Sequence, residues 1–143
     1  MMLSLAFFSA AQAAVYSSVL DLDDLADSAD QVVIGEVSEV DSRRVPGGVV
    51  TEVTVDVFET LVGSPEHELT ITLPGGRLGG ETLTVSGVPQ LRVGHDLLLF
   101  LDDEGSPLGF TQGIFFTDGA QAYPAATSHP KPLVMEEIRR TLR

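Results

Sequence analysis

A chain of 143 residues has room for one domain and not for two ordinary ones, and its 21 acidic and 8 basic side chains leave a formal net charge of −13. The sole lysine, Lys131, and the scattered arginines do not form the cationic cluster that displaces counterions from nucleic acid or an anionic membrane, so neither partner is expected. The absence of cysteine excludes disulfides, a thiol nucleophile and a Cys-ligated zinc site.

Residues 1–10 form an uncharged apolar run, followed by Ala11-Gln12-Ala13, a small-x-small cleavage pattern. The segment 1–13 therefore reads as an export signal, with Ala14 as the mature N-terminus and a periplasmic or extracellular location expected. It departs from the usual pattern in lacking a Lys or Arg ahead of the run. The run is shorter than the roughly 20 residues a bilayer requires, and no later apolar run is longer, so no membrane span is expected. Cleavage would remove no charged residue, which leaves the acidic balance with the mature domain, where it serves solubility.

Leu22, Leu25, Ala26 and Ala29 recur at helical spacing behind Asp21, a good N-cap, with Asp23 and Asp24 in the first turn where the helix dipole favours anions. Residues 31–40 then change period to a β-branched strand, and Gly35 within it suggests a bulge or tight bend. A turn over 45–48 leads into the clearest strand, where Val49, Thr51, Val53, Val55 and Val57 alternate with Val50, Glu52, Thr54, Asp56 and Phe58. After the break at Gly63-Ser64-Pro65, Leu69, Ile71 and Leu73 mark a third strand, and Leu83 and Val85 a short fourth. Between them runs the glycine-rich connection 74–80. Gly87-Val88-Pro89 turns the chain again, and Leu91 and Val93 are apolar pegs. The continuous run Leu97 to Leu101 reads as a strand buried on both faces, and 102–107 as a polar turn. Phe110, Gln112, Ile114 and Phe116 share one face of a last strand. Residues 119–132, rich in Ala, Pro, Ser and Gly, read as a loop or tether. Residues 133–142 then read as a helix on Val134, Ile138 and Leu142, with arginines at its C-terminal end. The expected fold is mainly β: a closed or partly closed barrel of about five or six antiparallel strands over 14–118, with a short N-terminal helix, and a linker and C-terminal helix over 119–143.

The stretch Ala29-Asp30-Gln31-Val32-Val33-Ile34-Gly35-Glu36-Val37, a hairpin, and then residues 53–63 ending in Val62-Gly63 resemble the opening of the netrin-like domain of tissue inhibitors of metalloproteinases, where Lys-Gly stands at the break. Over roughly residues 20–117 the chain also resembles a group of uncharacterised exported bacterial proteins. The matching residues are Pro74-Gly75-Gly76, Gly87-Val88-Pro89-Gln90-Leu91, Gly94-His95 and Leu98-Leu99-Phe100-Leu101, with His95 in place of the group's Glu. The resemblance implies an OB-like barrel. It does not bring inhibitory chemistry with it, because those inhibitors chelate the protease zinc through an N-terminal cysteine and this chain has none.

No constellation for catalysis stands out. The cluster 75–80 lacks the Gly-Lys-Ser/Thr ending of a phosphate loop and is explained by a hairpin connection that needs positive φ. His67, His95 and His129 show no metal-ligand spacing, and no Gly-x-Ser-x-Gly elbow is present. Asp21, Asp23, Asp24 and Asp27 lack the glycine and distal glutamate of a calcium loop, and 102–105 reads as a hairpin tip. No cofactor or metal is expected. The reading is a non-enzymatic module that binds a protein or an extended ligand. Its contact surface is placed at Pro74, Gly75, Gly76, Gly79 and Gly80 and at the Pro89-Gln90 turn, since loops on a rigid scaffold carry function. The alternatives are an inhibitor or companion of a secreted metalloprotease that inserts Ala14 or a loop, and, behind that, a hydrolase or metal enzyme with an unrecognised site.

Overall fold

A computed structural model describes residues 20–126 and 131–142. The expected signal segment, the mature N-terminus at Ala14 and His129 lie outside the described residues.

Helix α1 (Leu22–Ser28) starts as its sequence dictates. The Asp21 carboxylate accepts from the Asp24 N–H at 2.8 Å, and the Asp24 carboxylate accepts from the Asp21 N–H at 3.2 Å, a reciprocal capping box. Leu25 is fully buried, with Leu22 and Ala29 packed beside it. The chain then enters β1 (Gln31–Val45), guided by the Asp30 N–H, which donates to the Leu101 carbonyl at 2.9 Å.

β1 and β2 (Gly48–Val62) are 15 residues each and form one long hairpin across Pro46-Gly47, with Gly47 at φ 93°. The register slips between Ile34 and Gly35, as the glycine suggested. A Cβ at Gly35 would stand 2.4 Å from the Asp56 carbonyl oxygen, so two backbones meet where no side chain fits. Gly35→Ala is therefore expected to cost about 1–3 kcal/mol by forcing this central strand off its partner, read as a lower urea midpoint with unchanged slope.

β3 (Glu68–Pro74) pairs with β2, and β6 (Asp96–Leu101) pairs with the first part of β1. β7 (Ile114–Thr117), β8 (Gln121–Pro124) and β9 (Leu133–Val134) extend the sheet beyond β6, and helix α2 (Met135–Thr141) follows. The result is a seven-stranded antiparallel sheet in the order β3-β2-β1-β6-β7-β8-β9, plus a two-stranded sheet of β4 (Gly76–Leu78) and β5 (Glu81–Leu83). The fold is thus mainly β, with two helices among the described residues. The hydrogen-bonded ladder does not close: β3 and β9 are its edges. No helix among the described residues is long and apolar enough to cross a membrane.

The connection expected over 74–80 carries β4, the strand expected on Leu83 and Val85 ends at Leu83, and Val93 is exposed rather than an apolar peg. Beyond β6, three further segments differ from the sequence expectation. The first is the stretch after residue 118, which is not all loop. The Asp118 carboxylate accepts from the Ala120 and Gln121 N–H groups at 3.0 and 2.8 Å, and the turn it builds returns the chain as β8. Ala-rich composition concealed this strand, whose Ala122 is fully buried. The second is 108–113, of which 110–113 is expected as the start of the last strand. It is a looped excursion in which Phe110 takes φ 70°, and β7 begins only at Ile114. The third is the C-terminal helix, which begins at Met135 after the short strand β9. Ile138 is buried as expected, but Met135 is buried in place of Val134, which is exposed.

Strand alternation sorts the core into two layers. On one face Val33, Val37, Val53, Val55, Ile71 and Leu73 meet Leu97, Leu99, Leu101 and Ile114, with Leu91 and Val88 laid over them. On the other, Val32, Leu98, Phe100 and Phe115 receive the helices through Leu25, Met135 and Ile138. β6 feeds both layers, which is why its apolar residues run without interruption.

Helix α2 is also tethered to β2. Arg139 donates to Glu59 with both terminal guanidinium nitrogens, Nη1 and Nη2, the Nη2–Oε1 bond being 2.9 Å. The hydrogen bond from Arg139 draws the Glu59 carboxyl below its ordinary value of 4.5 against a smaller opposing effect of burial. A depressed folded-state value means stabilisation that is complete above 4.5 and fades as pH falls through the lower folded value. Both side chains are about 40 % exposed, so solvent screening limits the effect. Glu59→Gln is expected to lower stability by about 0.3–1 kcal/mol at pH 7, with the difference from wild type vanishing in acid, as followed by urea titrations from pH 7 to 3.

Candidate functional site

β3 ends at Pro74, and Gly75 and Gly76, with φ of 89° and 144°, send the chain back over the far end of the β1–β2 hairpin. The Thr51 hydroxyl donates to the Gly75 carbonyl at 2.7 Å and shares a 2.9 Å hydrogen bond with the Ser42 hydroxyl across the hairpin. The Gly75 N–H donates to the Val49 carbonyl at 2.7 Å. A Cβ at Gly76 would lie 2.3 Å from Thr51 Oγ1, and one at Gly75 would lie 2.7 Å from the Leu83 carbonyl oxygen. Glycine is needed here because a strand end, a hairpin and a returning strand converge.

β4 and β5 form a flap closed by Gly79-Gly80, whose φ values of 58° and 85° are those of a type I′ hairpin turn. The flap crosses both β1 and β2. Arg44 on β1 grips Glu81 on β5 at 2.8 Å. The chain then descends through 84–91, fixed by the Thr111 hydroxyl donating to the Gly87 carbonyl at 2.6 Å and by the buried Leu91.

Between flap, hairpin and this descending loop lies a cleft of about 380 Å³. Val40, Val53 and Leu73 contribute apolar surface from the sheet, and Val85, Val88 and Leu91 do so from the loop. Ser42, Thr51, Thr82, Thr84 and Gln90 add neutral polar groups. Arg77 is the one charged side chain lining it, and it makes no ion pair among the described residues. In a chain of net charge −13, no carboxylate among the described residues lines this cleft.

Of the residues singled out from sequence, Pro74, Gly75, Gly76, Pro89 and Gln90 line the cleft together, although the two segments are separate in the chain. Gly79 and Gly80 do not line it; they form the tip of the flap. The hydroxyls of Ser42 and Thr51 were missed. Their signal, two small polar residues in valine-rich strands, acquires meaning only when the hairpin register sets them opposite each other.

The other candidates have structural roles. His95 Nδ1 accepts from the Arg92 N–H at 3.0 Å, and its ring meets Phe116 edge-on at 4.8 Å. The His67 carbonyl accepts from the Val57 N–H. Asp102 Oδ1 accepts from the Glu104 and Ser106 N–H groups at 2.8 and 2.9 Å, which makes 102–106 a hairpin tip. No cluster of three or more His, Cys, Asp or Glu side chains with metal-binding geometry occurs among the described residues. Within the cleft, Thr51 is bonded to a carbonyl and to Ser42, and no imidazole or carboxylate lines it to activate either hydroxyl. The cleft thus presents apolar surface, neutral polar groups and the Arg77 guanidinium. No protein-family model matches this chain, and no curated protein matches it in sequence.

Proposed function

We propose that this protein is an exported, non-enzymatic binding module that receives an extended ligand, such as a peptide segment, in the cleft beneath the β4–β5 flap. The observation that carries this reading is the cleft itself. Its volume of about 380 Å³ falls within the range of ligand sites, and its apolar lining is dotted with neutral polar groups. The export reading rests on the apolar run and small-x-small pattern at 1–13. The OB-like reading of the fold draws support from the first core layer, where side chains of β3, β2, β1, β6 and β7 meet in one cluster, as strands curling round a common interior would.

The test is selection of binders from a random decapeptide library on immobilised full-length protein, followed by titration against wild type and Val40→Phe. Val40 is partly buried in the cleft, so a larger ring there fills the cavity. The expected result is at least a tenfold loss of affinity with a nearly unchanged melting temperature, a difference of about 1.4 kcal/mol in binding. Selected peptides that bind both proteins equally would place recognition elsewhere and end the proposal.

A further inference from the structure

β3 is an edge strand of the sheet; Leu73 and Pro74 at its end line the cleft, whereas Glu68, Thr70 and Thr72 do not. Residues opposite each other across an antiparallel pair exchange hydrogen bonds at alternate positions only. The Val57 N–H donates to the His67 carbonyl, and the Gly75 N–H donates to the Val49 carbonyl. In the register Val53↔Ile71 these two bonds place the odd-numbered residues of β3 in the bonded positions. The N–H and C=O groups of Glu68, Thr70 and Thr72 therefore point away from β2, and none has a backbone partner among the described residues. Glu68 and Thr70 are exposed and Thr72 is half-buried.

This edge lacks the usual protection against strand addition. Its pairing with β2 runs without a register shift, its only proline is the last residue, Pro74, and no lysine lies on it. The opposite edge of the sheet, β9, is two residues long. Charge says which strand the β3 edge suits. Glu68 stands directly opposite Asp56 in a non-bonded pair, the geometry in which side chains come closest, and neither has an ion-pair partner among the described residues. A cation on an added strand beside Glu68 would meet these two carboxylates. A second copy of this chain would bring the same carboxylates and another net charge of −13.

We infer that the β3 edge binds an extended peptide segment by strand addition, one in which basic residues alternate with apolar ones. The basic residues share the face of Glu68 and Asp56, and the apolar residues share the face of Leu69, Ile71 and Leu73. The inference rests on the outward groups of Glu68, Thr70 and Thr72, none of which lines the cleft, so Val40→Phe is expected to leave Lys-Val binding unchanged.

The test uses the full chain and two octapeptides, Ac-(Lys-Val)4-NH2 and Ac-(Glu-Val)4-NH2, at physiological salt. Saturation with the Lys-Val peptide is expected to slow amide exchange at Thr70 and Thr72 at least tenfold, while the Glu-Val peptide does not. Thr70→Pro removes an outward donor without breaking a bond to β2 and is expected to weaken Lys-Val binding at least tenfold. Glu68→Lys, at an exposed position, is expected to lower the preference for the Lys-Val peptide at least tenfold. Equal binding of both peptides, unchanged preference in Glu68→Lys, or protection of these amides by dimerisation without peptide would each overturn the inference.

Discussion

Phe100→Ala is expected to remove about 3–5 kcal/mol of stability, a large share of the roughly 5–15 kcal/mol that holds a domain together. Phe100 has no exposed surface and lies in the second core layer, where its ring meets Phe115 edge-on with centroids 5.7 Å apart. Truncation forfeits the transfer energy of the ring and leaves a cavity that the β-sheet cannot collapse to fill. The same residue anchors the 108–113 excursion through its backbone: its N–H donates to the Gly113 carbonyl and its carbonyl accepts from Leu108. Those bonds survive the substitution, so the loss measures packing alone. Phe100→Leu, which conserves most of the volume, is expected to cost less than about 1.5 kcal/mol. Urea denaturation of the two variants checks both; a loss under about 1 kcal/mol for the alanine variant would mean that this ring is not part of a packed core.

Ile138→Ala is expected to cost about 2–5 kcal/mol and to lower a single cooperative transition rather than detach a tail. Ile138 on α2 is fully buried in the same layer as Leu25 on α1 and as β6, and the helix reaches this position because β8 and β9 carry the chain back to the sheet. If the C-terminal segment were an appendage, loss of Ile138 would free it without moving the main melt. A double-mutant cycle with Leu25→Ala sharpens the test. Two side chains sharing one cluster should couple by about 0.5–3 kcal/mol, and strict additivity would show that the helices dock independently.

These two expectations fall on opposite sides of what was legible in the chain. The run Leu97 to Leu101 announces a strand buried on both faces, and Phe100 belongs to it on pattern alone. The role of Ile138 was half visible. Its helical spacing was plain, but the strand that delivers it was not, because Gln121-Ala122-Tyr123-Pro124 has neither β-branched residues nor alternation and is held by the Asp118 turn and by pairing with β7. The excursion at 108–113 was invisible for a similar reason. Phe110 and Gln112 carry the spacing of a strand, but Gly113 lies so close to the Phe100 carbonyl that a Cβ there would stand 2.4 Å from it, and the loop bends to allow that approach. Of the cleft, the glycines and prolines of two loops were readable as turns, while the hydroxyls of Ser42 and Thr51 were not.

By itself the amino-acid order determined the local elements whose causes lie within a few residues: the Asp21 cap, the Gly35 slip, the Pro46-Gly47 hairpin and the doubly buried β6. Only the tertiary structure decided that the ladder stays open at β3 and β9, that β8 and β9 join it, and that the loops at 74–76 and 84–91 face each other across a cleft. The physical reason is range. Dihedral preference and periodicity act along neighbouring residues, whereas strand partnership and cavity shape depend on side chains far apart in the chain filling the same space.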